Sequence, residues 1–531
     1  MSAIAQQLLA DAETQLRPLQ LEVAQSWWAA STHSSPEADR RGAAANLAYR
    51  GALADPATYA AVRDARIHLH DAPEGADPLL RRQLDVLHDA FTAHQIPSEL
   101  QRRLVELETS VESTFNTFRG ELDANPVDDN TILEILRTSD DAELRRRAWL
   151  ASKQIGAEVA DRVRELAKLR NEAARHLGHR DHFALALATG EMDEAAMFRT
   201  LDAVDQATAG PFRAWKAELD GALAARFGCG PAELRPWHLD DPFFQDPPIR
   251  GSVDFDAVFA EHDLEQLTVR TYDGIGLDVE PILQRSDLYA RPHKSQHAFC
   301  IDMDRGGDVR VLANIVPSER WMDTMLHEFG HGSYDRAIRD DLPWLLHEPA
   351  HALTTEGVAM LFGRLARDPD WLREIAGVPA GAIEGLRSRL AAAHRANLLT
   401  FARWVLVVTH FEHSLYADPD GDLDDRWWTL VERYQEIRRP ENRHAQDWAS
   451  KIHLAAVPVY YQNYLYGELV ASQLAATLVA RAGGIVGRRT AGRYLTDEVF
   501  GPGASLRWDH LIERATGTPL SAAALAREIA A

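Results

Sequence analysis

Residues 327–331 read His-Glu-Phe-Gly-His. On a helix, positions i and i+4 share one face, so the imidazoles of His327 and His331 can grip a single metal ion. Glu328 then projects beside the ion. A carboxylate there can take a proton from an attacking water and pass it to a leaving nitrogen. A third donor lies downstream: Glu356 stands among Val358, Ala359, Met360 and Leu361, surroundings that argue against full exposure. Two imidazoles and one carboxylate suit zinc best and leave a fourth position open, the catalytic rather than the closed structural arrangement. The competing readings are a pair of hydrogen-bonded core histidines and a surface glutamate.

A second constellation follows. Lys451-Ile-His453 precedes Val457-Pro-Val-Tyr-Tyr-Gln-Asn-Tyr-Leu-Tyr466, which holds tyrosines at 460, 461, 464 and 466. A tyrosine hydroxyl or a histidine N–H near the metal can stabilise an oxyanion, and a lysine can hold a carboxylate as a point charge. The same run also reads as an aromatic packing stripe. The residues by themselves leave both readings open.

These groups need elements to position them. Ser318 predicts the N-cap of a helix carrying the pentapeptide, with Glu319 in its first turn and Trp321, Met325 and Leu326 as apolar contacts. Pro349 predicts the first position of a second helix, bearing Glu356 and ended by Asp368-Pro369. Glu158–His176, Ala391–His413 and Asp424–Arg438 carry helical periodicity. Strand signals are confined to His297–Asp302 and Asp308–Ile315, joined by Asp304-Arg-Gly-Gly307, a plausible hairpin. Breakers cluster in Pro231–Arg250, in Asp418–Asp425 and around Gly483-Gly484 and Gly501-Pro-Gly503. The acidic stretch lacks the carboxylate spacing of a calcium loop and reads as a solvated turn before a helix. No repeat or long linker divides the chain, so residues 1–531 read as one large helical domain with two lobes.

Length and composition set outer bounds. With 531 residues, 46% hydrophobic and 26% charged, the chain can bury its own core without disulfide or metal staples. Its net charge of −23 repels phosphate backbones and anionic lipid, which argues against nucleic acid and membrane partners. Cys229 and Cys300 cannot make a disulfide framework or a cysteine zinc site. The first residues lack a basic leader pattern, and the apolar run Trp404–Val408 is too short to span a bilayer. A cytoplasmic location is the default expectation.

Taken together, these residues resemble the gluzincin peptidases, namely the angiotensin-converting enzyme family and the related thimet oligopeptidase and oligoendopeptidase F family. His297-Ala-Phe-Cys300 resembles the first family's substrate-pairing edge strand. Asp341-Leu-Pro343 precedes Glu356 at a similar interval, and Lys451-x-His453 resembles the pair that holds a substrate's C-terminal carboxylate and a backbone carbonyl. Tyr461 and Tyr464 keep the spacing of that family's functional tyrosines, and Trp508–Leu520 is also similar. The resemblance is strongest over about 285–475.

It implies an all-α, ellipsoidal peptidase with a deep channel between two lobes. Lid-like helices would occupy about 1–115, and a zinc-binding core about 285–475. By resemblance, His327, His331 and Glu356 bind one Zn2+, and Glu328 is general base and then general acid. Tyr464 stabilises the oxyanion with His453 nearby, Tyr461 joins Lys451 at the substrate carboxylate, and His297 and Ala298 position the peptide. Short peptides are the implied partners, and release of C-terminal dipeptides is the implied activity. The alternatives are an oligoendopeptidase and a peptide-binding protein that has lost catalysis.

The sequence also departs from the first family. Met360 replaces the acidic residue that buttresses a zinc histidine, which leaves Asp323 as the candidate substitute. Gln462 and Asn463 stand where an arginine is tied to chloride activation, so chloride dependence is not expected. The glutamine that helps hold the substrate carboxylate has no clear counterpart near Trp237-His238. The interval from His453 to Tyr461 is one residue longer, so Tyr460 can exchange roles with Tyr461. The phenylalanine in HEFGH is closer to the oligopeptidase pattern.

Overall fold

A serine in extended conformation starts the element on which the site depends. Ser318 (φ −157°) caps the helix Glu319–Ala337 by accepting the Trp321 N–H at 3.3 Å. This is a computed structural model, and it describes residues 2–71, 77–248 and 255–530. The end of the proline-rich stretch, at 249–250, lies outside the described residues.

The architecture is all-α. The predicted helical segments are parts of longer elements: Glu158–His176 lies within Ala142–His176, and Ala391–His413 within Ala380–Ala417. Asp424–Arg438 corresponds to Leu423–Gln435, capped by Asp422, whose side chain accepts the Asp425 N–H at 2.9 Å. The acidic run is thus the turn before that helix.

The predicted hairpin is present but shorter. Phe299–Asp302 pairs antiparallel with Val309–Leu312, in the register Phe299↔Leu312 to Asp302↔Val309. It packs on the helix that carries the pentapeptide. A second hairpin, Gly120–Leu122 with Asn125–Val127, was not foreseen. Its turn residues Asp123 and Ala124 both have positive φ, and Pro126 within the second strand masks the strand pattern.

The second site helix begins later than predicted. It spans Ala352–Gly363, and Pro349 lies outside it. His351 (φ −168°) is the N-cap: its Nδ1 accepts the Leu353 N–H at 3.0 Å, and its Nε2 lies 2.7 Å from the Gly190 carbonyl oxygen. A 3-10 turn, Arg364–Arg367, follows, and Asp368 caps a new short helix rather than ending the old one.

Glu319–Ala337, Ala352–Gly363 and Gln462–Ala482 form the packed centre. Glycines set how close they come. A Cβ on Gly357 would stand 2.4 Å from Val470 Cγ1, and one on Gly467 would stand 3.0 Å from Glu356 Cβ. The helix of Glu356 and the helix of the tyrosines can therefore touch only because both faces lack side chains at that point.

Among the described residues, buried apolar side chains fall into two clusters. The larger runs from Leu100 to Ile529 and includes the site helices. The smaller joins residues between Ala5 and Phe91 to Trp344 and Leu345. Among the described residues, no helix is long and apolar enough to cross a membrane.

Candidate active site

The pentapeptide's geometry follows from its helix. His327 and His331 lie one turn apart, and their Nε2 atoms are 3.2 Å from each other. Glu356 Oε2 comes from the neighbouring helix to 3.5 Å from the first and 3.8 Å from the second. A tetrahedral ion with bonds near 2.0–2.1 Å holds its ligands about 3.3 Å apart, so the three atoms are spaced to share one ion. Among the described residues this is the one such group of three or more donors. Glu356 is 3% exposed, and its Oε2 has no hydrogen-bond partner. A buried orphan oxygen aimed at two imidazole nitrogens is what a metal ligand looks like without its ion. The donor set fits zinc.

Two of the three candidate donors are held from behind. His331 turns Nε2 towards Glu356, so its Nδ1–H donates to Thr355 Oγ1 at 2.7 Å. Thr355 was not anticipated. It precedes Glu356 by one residue, so a single helix supplies both one candidate donor and a support for another. Asp323, the expected support, pairs instead with Arg367 at 2.9 Å. Tyr460 donates to Glu356 Oε1 at 2.6 Å, which leaves Oε2 for the metal. Tyr460, read as able to exchange with Tyr461 at the substrate, thus has its hydroxyl on Glu356. The two histidines hold the Glu356 carboxyl below its usual range although burial pushes it up.

Glu328 is buried beside this group. Burial raises its carboxyl to about 7, against the pull of His327 and a backbone hydrogen bond from Cys300.

The second constellation meets the same cavity. A space of about 600 Å³ is lined by His327, Glu328 and Met360 and also by Lys451, His453, Tyr461 and Tyr464. Tyr464 Oη lies 3.2 Å from His453 Nε2. Burial, with the charge of Lys451, keeps His453 neutral, and burial keeps the Tyr464 hydroxyl protonated. Tyr461 is 3% exposed and its hydroxyl accepts the Trp404 indole N–H at 2.8 Å. Its ring, rather than its hydroxyl, is the recorded neighbour of Lys451, whose Nζ is 5.6 Å from the ring centroid.

Lys451 donates to Gln245 Oε1 at 3.2 Å, and burial lowers its pKa to about 8. Gln245 was missed by the sequence reading, which looked for a glutamine near Trp237-His238. It lies downstream in the proline-rich stretch, where nothing local marks it. His297 is close enough for the charges of Lys451 and Arg320 to add to the burial that lowers its pKa to about 4. Ala298 packs, partly buried, against the large cluster beside the hairpin.

Comparison with known proteins finds likeness to peptidases. The family model of Peptidase family M3 matches residues 283–531, and that of angiotensin-converting enzyme matches residues 1–207. An angiotensin-converting enzyme from Theromyzon tessulatum is 21% identical over 488 residues, 83% of this chain and 78% of that protein. An inactive angiotensin-converting enzyme-related protein from Caenorhabditis elegans is 23% identical over 168 residues, 31% of this chain and only 18% of that protein's length. The chain is thus similar to gluzincin zinc metallopeptidases of two families, one along each end.

Proposed function

We propose that this protein hydrolyses short peptides at a single zinc site and releases dipeptides from their C-terminal ends. The observation that carries the reading is one cavity lined by both His327 and Glu328 and by Gln245, Lys451 and Tyr461. Chemistry and a carboxylate anchor then share a chamber, which sets the cut a fixed distance from the chain end.

His327 Nε2, His331 Nε2 and Glu356 Oε2 would hold the ion. Zinc in such a donor set supplies Lewis-acid activation of water and of a peptide carbonyl. The remaining work falls to side chains. Glu328 takes the proton from the attacking water. As the C–N bond breaks, it gives that proton to the departing amine. Tyr464 donates its hydroxyl to the developing oxyanion, with neutral His453 orienting it from 3.2 Å. Lys451 attracts the substrate's terminal carboxylate. Gln245 accepts from Lys451 through Oε1 and donates one amide hydrogen to Asp241 Oδ2 at 3.4 Å, which leaves the other for the substrate. His297 and Ala298, at the entry to the hairpin, line the peptide's path. We further read the N-terminal helices over about 1–115, the first four of which share a separate apolar cluster, as a lid, and the two free cysteines as fitting a reducing, cytoplasmic setting.

A second reading is internal cleavage by an oligoendopeptidase. It is favoured by the match of residues 283–531, which hold the donor set, to Peptidase family M3. An N-blocked tripeptide and its C-terminal amide separate the two. The dipeptidase reading expects the free acid to be cut far faster, with a dipeptide as product. Equal turnover of acid and amide would refute it. Loss of catalysis with retained binding, the third alternative, is opposed by the intact Glu328.

A further inference from the structure

Arg320 is one of several cations that line this cleft, and the reading above leaves it without a task. It stands two helical turns before His327, on the same face of the same helix. Its guanidinium makes no hydrogen bond or ion pair with the described residues, and its Nη1 is buried without a partner. Two arginines on the same cavity wall are spent otherwise: Arg364 pairs with Glu468, and Arg367 with Glu319 and Asp323. A guanidinium offers five N–H groups in a planar fork suited to a carboxylate. One left unpaired and partly buried is set for an anion that arrives from outside.

The surroundings say where that anion would sit. Gln245, Arg320 and Lys451 line the main cavity and also a side chamber of about 160 Å³. Phe118 and Ile132 give this chamber apolar walls, and Gln296 and His297 close another side. The charge of Arg320 reaches both Lys451 and His297, so the two cations act on one small volume. Asp129 also borders the chamber. It feels the charge of Arg320 without an ion-pair contact, and buried Asp241, on the chamber's other side, acts on Lys451 and accepts from the backbone of Phe243 and Gln245.

Two neighbouring cations match a ligand with two carboxylates. We propose that Arg320 receives a side-chain carboxylate on the C-terminal residue of the substrate, while Lys451 holds the main-chain carboxylate, so that peptides ending in glutamate are preferred. The apolar walls suit the methylenes of that side chain. This deepens the dipeptidase reading and rests on it.

The test compares N-blocked tripeptides ending in Glu, Gln and Leu, with products identified by mass spectrometry. The zinc-loaded wild type should cut the Glu peptide with kcat/KM about tenfold or more above the Gln peptide, because the isostere lacks only the charge. Arg320→Gln should bring that ratio to about one or below, and Arg320→Lys should restore part of it. Asp129→Asn should raise it by removing a competing negative charge. Because the ratio is taken within each variant, and zinc content confirms folding, a general loss of activity cannot imitate the result. Dipeptide release from the Glu and Gln peptides at equal rates in the wild type overturns this inference and leaves the dipeptidase reading standing. Cleavage that ignores the free C-terminus overturns both.

Discussion

The two sides of the cleft are built differently. On the candidate metal side, three donor atoms come from two packed helices; two have a neighbour behind them, Thr355 for His331 and Tyr460 for Glu356, and glycines fix the helix spacing. On the anchor side, Lys451 follows a 3-10 turn, Gln245 comes from a proline-rich loop, and His297 leads into a short strand. Helices hold chemistry to the sub-ångström tolerance that metal ligation demands. Loops assemble a specificity site that can vary without disturbing it. The contrast predicts that damage on the metal side falls on turnover or metal content, and damage on the anchor side on choice of substrate.

The sharpest way to break that contrast is Glu328→Gln. It should keep zinc and lose about two to four orders of magnitude in kcat, measured on a tripeptide. Undiminished turnover would remove Glu328 from the mechanism. Next in size is Thr355→Val, which deletes the acceptor for His331 Nδ1–H. Zinc affinity by competition with a chelator should fall about 10–100-fold. Unchanged affinity would mean that the 2.7 Å hydrogen bond contributes nothing to the metal. On the anchor side, Lys451→Met should raise KM for free-acid peptides about tenfold or more while leaving kcat and the amide's kinetics nearly untouched. A fall in kcat alone would place Lys451 in the chemistry instead.

The smallest effect is on pH dependence. Lys451 titrates near 8, lowered chiefly by burial. It is charged below that pH and neutral above it. The kcat/KM for a free acid should therefore decline as pH rises past about 8 in the unliganded enzyme, and the acid's advantage over the amide should shrink with it. A constant ratio up to pH 10 would separate Lys451 from carboxylate recognition.

The contrast also governs what could be read from the chain. HEFGH, Glu356 and the Ser318 cap were legible because a helix converts sequence spacing into geometry directly. The start of the Glu356 helix was misplaced by three residues. Pro349 signals a first helical position, but His351 supplies the side-chain cap that sets the boundary. Thr355 could have been found as a hydroxyl one residue from a ligand, yet spacing alone does not say which ligand it faces. Asp323 was expected behind a zinc histidine because it stands one turn before His327, but Arg367, on another element, draws it away. Gln245 and Lys451 meet across 206 residues through loops, and no period links them. Tyr460 and Tyr461 are adjacent, and only the helix that follows decides which points at Glu356. The family matches show the same division: the half with the donor set resembles one peptidase family, and the first 207 residues resemble the other.

The central claim is that His327, His331 and Glu356 jointly hold one zinc ion. Metal analysis of the purified protein after zinc loading and gel filtration tests it most directly. The account predicts one zinc per wild-type chain and less than about a tenth of that in Glu356→Ala, with helical content unchanged. A wild-type chain that retains no zinc, or a Glu356→Ala chain that retains it with wild-type affinity, would contradict the account.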